Sequence, residues 1–162
     1  MEADHESIAA TQAIISVTFG LRGKRLDPDV ASRVIGVQPS RVLRAGEEFS
    51  LRDGRTAKRP WTVWAIDSSP TVQSQDVNDH IDYMLSLLEG RRADLERMRK
   101  DADYCDVRLW YETGEPTASF RVDPHRFARL LSLAEDLNIS VITSADDMLT
   151  GAGKGPAQHE PG

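Results

Sequence analysis

Six basic side chains, Arg41, Arg44, Arg52, Arg55, Lys58 and Arg59, crowd one short stretch of the chain and lead directly into Trp61 and Trp64. Only Glu47, Glu48 and Asp53 oppose them, so the stretch is locally +3 in a chain of net charge −6. Guanidinium forks match carboxylate and phosphate oxygens in pairs, and indole faces accept a stacked base or a cation. Arg41, Arg44 and Arg55 beside Trp61 and Trp64 are therefore candidates for holding a small acidic ligand or an acidic patch of a protein partner. The competing reading is structural. The same cations can be solvated, or can pair with a later acidic helix carrying Asp76, Asp79, Asp82, Glu89, Asp94 and Glu96.

His80 stands next to Asp79 and near Asp76, a grouping in which a carboxylate could orient an imidazole for acid–base work. Nothing else completes the set. There is no H-E-x-x-H pair, and His5, His125 and His159 fall in a tail or at another helix start. Ile81 and Met84 continue an apolar stripe beside His80, so a packed, hydrogen-bonded histidine is the expectation. A small hydrolase or transferase using His80 and Asp79 is the alternative.

Ser68-Ser69 lacks the G-x-S-x-G frame of a nucleophile elbow and reads as turn or helix-entry chemistry. The run Gly151-Ala152-Gly153-Lys154-Gly155 lacks the spacing and the flanking strand and helix of a phosphate loop. Cys105 is the single cysteine, which rules out an internal disulfide and a zinc site of paired thiolates. It reads as a buried apolar thiol. Trp110 is set differently, because it shares a strand face with Asp106, Arg108 and Glu112. An aromatic ring on a charged face is a candidate partner contact. No catalytic set, metal centre or cofactor is expected.

At 162 residues the chain fits one domain. Residues 1–12 and 150–162 read as flexible tails, the second Gly/Pro-rich, around a body at 13–149. The acidic balance disfavours nucleic acid, since phosphate neutralisation needs a basic surface. No signal-peptide pattern is present, and the longest apolar run, near Ala13–Val17, is far short of the roughly 20 residues of a membrane span. A cytoplasmic protein with no membrane partner is expected.

Several elements must position these residues. Ala13–Leu21 alternates, with Ile15, Val17, Phe19 and Leu21 on one side and Ser16, Thr18 and Gly20 on the other, as in a half-buried strand. Asp27-Pro28 opens a helix that Gly36 closes. Gln38 to Arg59 reads as a long loop or irregular hairpin with strand-like pieces at Arg41–Leu43 and Glu48–Leu51. Trp61–Asp67 is a strand with Trp61, Val63 and Ala65 on one face and Thr62, Trp64 and Ile66 on the other. Bulk on both faces makes it central. Asp76 to Asp101 is helical with a break or kink at Gly90. Cys105–Glu112 and Thr117–Val122 are predicted as a hairpin. Asp123-Pro124 opens a helix whose stripe of Phe127, Leu130, Leu131, Ala134 and Leu137 ends at Asn138, with Leu131 in the core. Ile139–Thr143 closes the fold as a strand.

Arg25–Val37 aligns without gaps on Arg121–Leu133, each copy centred on an Asp-Pro helix start. With the strands around them this predicts an α+β fold. Its sheet is mostly antiparallel with helices on one face, ferredoxin-like, built from two βαβ-type pseudo-repeat halves.

The strand–helix opening is followed by Ile35-Gly36-Val37-Gln38-Pro39-Ser40, Gly46-Glu47, Gly54-Arg55, Trp61 and Ser68-Ser69. Then come the helix with Asp79-His80-Ile81 and Leu85, and a closing helix–strand pair. This order resembles the bacterial domain-of-unknown-function family 4279 from about Ala13 to Ser144. Trp64 and Ile66 depart from it, standing where the family's strand is more serine-rich. The resemblance implies a fold and no particular chemistry. The residues themselves point to a non-enzymatic binding or regulatory module that takes a protein or small acidic ligand through residues 36–69, with Trp110 as a second contact. A toxin-neutralising partner protein is a further alternative, and a homo-oligomer is compatible with each reading.

Overall fold

The computed structural model of the chain describes residues 12–144. The expected tails, except Gln12, lie outside the described residues, as do residues 145–149 and the Gly151–Gly155 run.

Strand β1 (Ile14–Gly23) carries the alternation that its sequence predicts, with Ile15, Val17, Phe19 and Leu21 buried. It continues past Leu21 to Gly23 because Arg22 pairs with Val63 on one flank and Tyr104 on the other. The Asp27 carboxylate accepts hydrogen bonds from the amides of Asp29 and Val30 and so caps α1 (Pro28–Ile35). Gly36 ends that helix at φ +70°, a left-handed conformation glycine adopts without strain. The stretch that reads as irregular holds a short strand, β2 (Arg41–Leu43), and a small two-stranded ribbon of β3 (Glu48–Ser50) and β4 (Thr56–Lys58). β5 (Thr62–Asp67) then enters the main sheet. The long helix is divided at Gly90 as expected, into α2 (Val77–Leu88) and α3 (Arg92–Arg99) with a tighter turn at Glu89–Arg91 between them. β6 (Tyr104–Glu112), α4 (Pro124–Leu131) and β7 (Asp136–Ile142) complete the described chain.

Five strands form one mixed sheet in the order β2-β5-β1-β6-β7. All neighbours are antiparallel except β6 and β7, which are parallel. The strand residues that join the hydrophobic core all lie on one side. They are Ile15, Val17, Phe19 and Leu21, then Trp64 and Ile66, then Cys105, Val107 and Leu109, related by the pairing register. Against them pack Ile35 of α1, Ile81, Met84 and Leu88 of α2, Leu95 and Met98 of α3, and Leu130 of α4. The other face of the sheet carries no helix among the described residues.

Three expectations change. Residues Thr117–Val122 form no strand. Phe120 instead stacks on Tyr111 with ring centroids 5.0 Å apart, so the segment runs against the core, and the new neighbour of β6 is β7. The last helix stops at Leu131, where turns from Leu133 to Leu130 and from Ala134 to Leu131 close it, and Leu137 belongs to β7. Leu130, not Leu131, is the fully buried residue of α4. Finally, both copies of the internal echo open a helix on an Asp cap. However, β1 and β2 around the first are separated by β5, while β6 and β7 around the second are adjacent, so the two copies are not equivalent in the sheet.

Candidate functional site

Opposite residues in a pleated sheet point to the same face, so the pairing register maps the open side. One row crosses it as Arg41 on β2, Ala65 on β5, Gly20 on β1 and Asp106 on β6. Its middle is low, because Ala65 and Gly20 have almost no side chain to raise, and both are buried beneath the longer side chains around them. A Cβ added at Gly20 would stand 3.0 Å from Oδ1 of Asp106, so glycine lets that carboxylate lie flat on the sheet. Asp106 is only 4% exposed and accepts from Arg22 (Nη2, 3.1 Å) and Arg108 (Nε, 2.7 Å). The carboxylate fixes two guanidinium groups on the face and leaves the trio with a net positive charge.

Aromatic rings extend this centre. The Arg22 guanidinium lies 5.4 Å from the centroid of Tyr104, Tyr104 meets Trp61 edge-on at 5.6 Å, and Lys24 sits 5.4 Å from the Trp61 ring. Farther along β6, Trp110 is 40% exposed, and its indole N–H donates to Glu112 at 3.1 Å. Cations alternating with aromatic faces hold one another in place by cation–π attraction. At the other margin Arg41 is exposed, has no ion pair among the described residues, and lines a cleft of about 180 Å³ with Thr18, Ser40, Ala65, Asp67 and Pro70.

The residues nominated from sequence are thus divided. Arg41, Trp61 and Trp110 share the open face. Arg44 does not join them, because both oxygens of Asp29, at the start of α1, hold its guanidinium. Arg55 is paired with Asp53 within the turn of the β3–β4 ribbon. The acidic helix is not their partner: Asp82, Glu89, Asp94 and Glu96 pair with Arg126, Arg129, Arg97 and Arg99.

Trp64 and His80 leave the site altogether. Trp64 is fully buried on the helix side, where its indole N–H donates to Ser32 Oγ at 3.0 Å. Its strand position alternates with that of the exposed set, which sends it inward. His80 is also buried, and Ser68 Oγ (2.8 Å) and the Ser74 carbonyl (3.0 Å) take its two ring nitrogens. The carbonyl can only accept, so Nε2 carries the proton. Val17 N–H donates to Ser68 Oγ, whose own proton then goes to Nδ1. The pair clamps α2 to the end of β5 and to β1. Asp79 meanwhile accepts from Ser74 Oγ, so it does not orient the imidazole. A depression of about 310 Å³ beside Ile15, Ser74, Gln75 and His80 is lined by no charged side chain.

Arg22, Tyr104 and Asp106 come together only through the fold. Asp106 and Arg108 were legible as neighbours of Trp110 by alternation. Arg22 was not, because it lies just beyond the alternating run Ala13–Leu21, and nothing local shows that it lies across from Tyr104.

Burial pushes the Cys105 thiol up to about 12 from an ordinary 9.0. The raised value means that its contribution to stability is complete below pH of about 9 and is lost as pH rises toward 12. At neutral pH a thiol reagent is expected to label Cys105 only as fast as the protein opens, and to label it immediately in denaturant. Rapid stoichiometric labelling of the native chain would place this thiol outside the core.

Among the described residues no helix is long and apolar enough to cross a membrane, and no group of three or more His, Cys, Asp or Glu side chains could hold a metal ion. No curated protein and no solved structure matches the chain. A family model does match, over residues 12–144, which is the whole described sheet with its helices. The chain belongs to that family, described as Domain of unknown function (DUF4279).

Proposed function

We propose that the protein is a non-enzymatic binding module that takes an acidic segment of a protein partner, or a small acidic ligand, across the open face of its sheet. The row Arg41, Ala65, Gly20, Asp106 carries the reading. Three strand steps of about 4.8 Å separate its ends by roughly 14 Å, with a low floor between them. A carboxylate lying over Ala65 and Gly20 meets Arg41 on one side and the anchored guanidinium groups of Arg22 and Arg108 on the other. Tyr104 and Trp110 supply apolar contact, the usual composition of an interface centre. The net charge of −6 favours an acidic segment over a polyanion such as nucleic acid. A toxin-neutralising role would need a free acidic surface, and the carboxylates of α2 and α3 named above are tied to arginines.

Capture from an extract of the native host, read by mass spectrometry for proteins and small molecules, tests this. Three baits are compared: the wild-type chain, an Arg41→Ala/Trp110→Ser variant and an Arg44→Ala/Arg55→Ala variant. The first variant is expected to recover at least about tenfold less, the loss of one interface anchor. The second is expected to match wild type. Equal behaviour of the two variants discards the open face as the site.

We infer further that β2, β5, β1 and β6, with α1 and α2, form a ferredoxin-like unit to which α4 and β7 are added. In support, the β1-α1-β2 connection and the one from β5 through α2 and α3 to β6 each pass over one intervening antiparallel strand. The sequence echo then relates a helix of the unit to the helix of the addition.

A further inference from the structure

β7 is the outer strand of the sheet, and its side facing away from β6 has no partner among the described residues. Leu137, Ile139 and Val141 are 39%, 48% and 47% exposed although they lie on the helix side of the sheet. Edge strands are ordinarily protected by a lysine, a proline or a bulge. The segment Leu137–Ile142 has no charge and no proline. Thr113 N donates to the carbonyl of Ile142, whose register partner is Glu112. In a parallel ladder alternate residues bond to a given neighbour, so the even-numbered residues of β7 face β6. Leu137, Ile139 and Val141 therefore turn their main-chain N–H and C=O groups toward the free edge. The residues with unpaired backbone are three of the four in β7 that carry exposed apolar side chains; the fourth, Ile142, bonds toward β6.

We propose that this edge pairs with the β7 edge of a second copy of the chain, antiparallel, about a two-fold axis through Ile139. The sequence argues for a second copy over another partner, because Leu137-Asn138-Ile139-Ser140-Val141 has nearly the same character read in either direction. With Ile139 opposite its own counterpart, Leu137 meets Val141 on the helix side and Asn138 meets Ser140 on the open side. The available main-chain groups fall into hydrogen-bonded pairs in that same register. Chains of net charge −6 repel one another, and the charge-free segment Leu137–Ile142 is where two can approach. The contact is essentially strand on strand, below the roughly 1,200 Å² of a standard interface, so the dimer is reversible on dilution. Pairing would join the two sheets into one and set two open faces side by side. The proposal does not depend on what those faces bind.

Sedimentation of the full-length protein over a concentration series tests the pairing. The expected result for wild type is a mass rising from 18.0 kDa toward twice that value with concentration. Ile139→Lys and Ile139→Glu each set like charges against each other at the axis, and each is expected to raise the half-dissociation concentration by about tenfold or more. Their circular dichroism and melting should stay unchanged, because the side chain is exposed. An equimolar mixture of the two variants is expected to regain the dimer, since Lys then faces Glu across the axis. A wild-type chain that stays at 18.0 kDa throughout overturns the proposal, as it would if another segment or partner covered the edge. A mixture that stays monomeric overturns the pairing centred on Ile139.

Discussion

Trp64→Ala is expected to lower the unfolding free energy by about 3–5 kcal/mol, a large share of the 5–15 kcal/mol typical of a domain. Trp64 is fully buried between the sheet and α1, and Ser32 Oγ accepts from its indole nitrogen. Truncation removes the largest side chain of the core, leaves a void that the strand cannot close, and deprives Ser32 of its donor. Trp61→Ala is the matched control. That ring lies half-buried on the opposite face, against Tyr104 and Lys24, and its loss should cost well under half as much. Urea denaturation of both variants decides the matter through the transition midpoint at constant slope. Equal losses would mean that Trp64 is not a core residue.

Leu130→Asp is expected to leave the protein unfolded at 25 °C. Leu130 is 1% exposed at the end of α4 and joins the core cluster with Leu133. Losing a buried leucine costs about 2–5 kcal/mol on its own. A carboxylate in its place has no cation among the core residues to pair with, and an unpaired buried charge adds several kcal/mol more. The sum reaches the whole stability of an ordinary domain. Leu131→Asp should be much milder, because Leu131 is only half-buried. Circular dichroism melting curves give the answer. A Leu130→Asp variant that melts within a few degrees of wild type would detach α4 from the core.

The contrast between these neighbours shows where sequence reasoning reached and where it stopped. Alternation in Ile15 to Leu21 and around Trp110 gave the buried and open faces of β1 and β6, because a strand's period is a property of that strand alone. The Asp-Pro pairs marked the starts of α1 and α4 for a similar reason, since a cap is local. Nothing local says which strand lies beside which. The Arg22–Asp106–Arg108 cluster depends on a pairing between β1 and β6, so alternation alone sets Asp106 and Arg108 on one face of β6 and cannot bring Arg22 to them. α4 ends earlier than its apolar spacing predicts, because Ala134 and Leu137 prolong that spacing beyond the last helical turn. Short apolar runs do not distinguish helix from strand, and pairing with β6 decided for the strand. Grouping Trp64 with Trp61 ignored the alternation of their own strand, which already set them on opposite faces.

Placing the working surface on the open sheet face, and not on the basic β3–β4 ribbon, can be tested through three indole N–H signals. The nitrogen-15-labelled chain is titrated with whatever the wild-type bait recovers, and the signals of Trp61, Trp64 and Trp110 are followed by NMR. The expected result is that Trp110 shifts most and Trp61 shifts with it, while Trp64, bound to Ser32 in the core, stays in place. Changes confined to residues 44–59, with Trp110 unmoved, would contradict it.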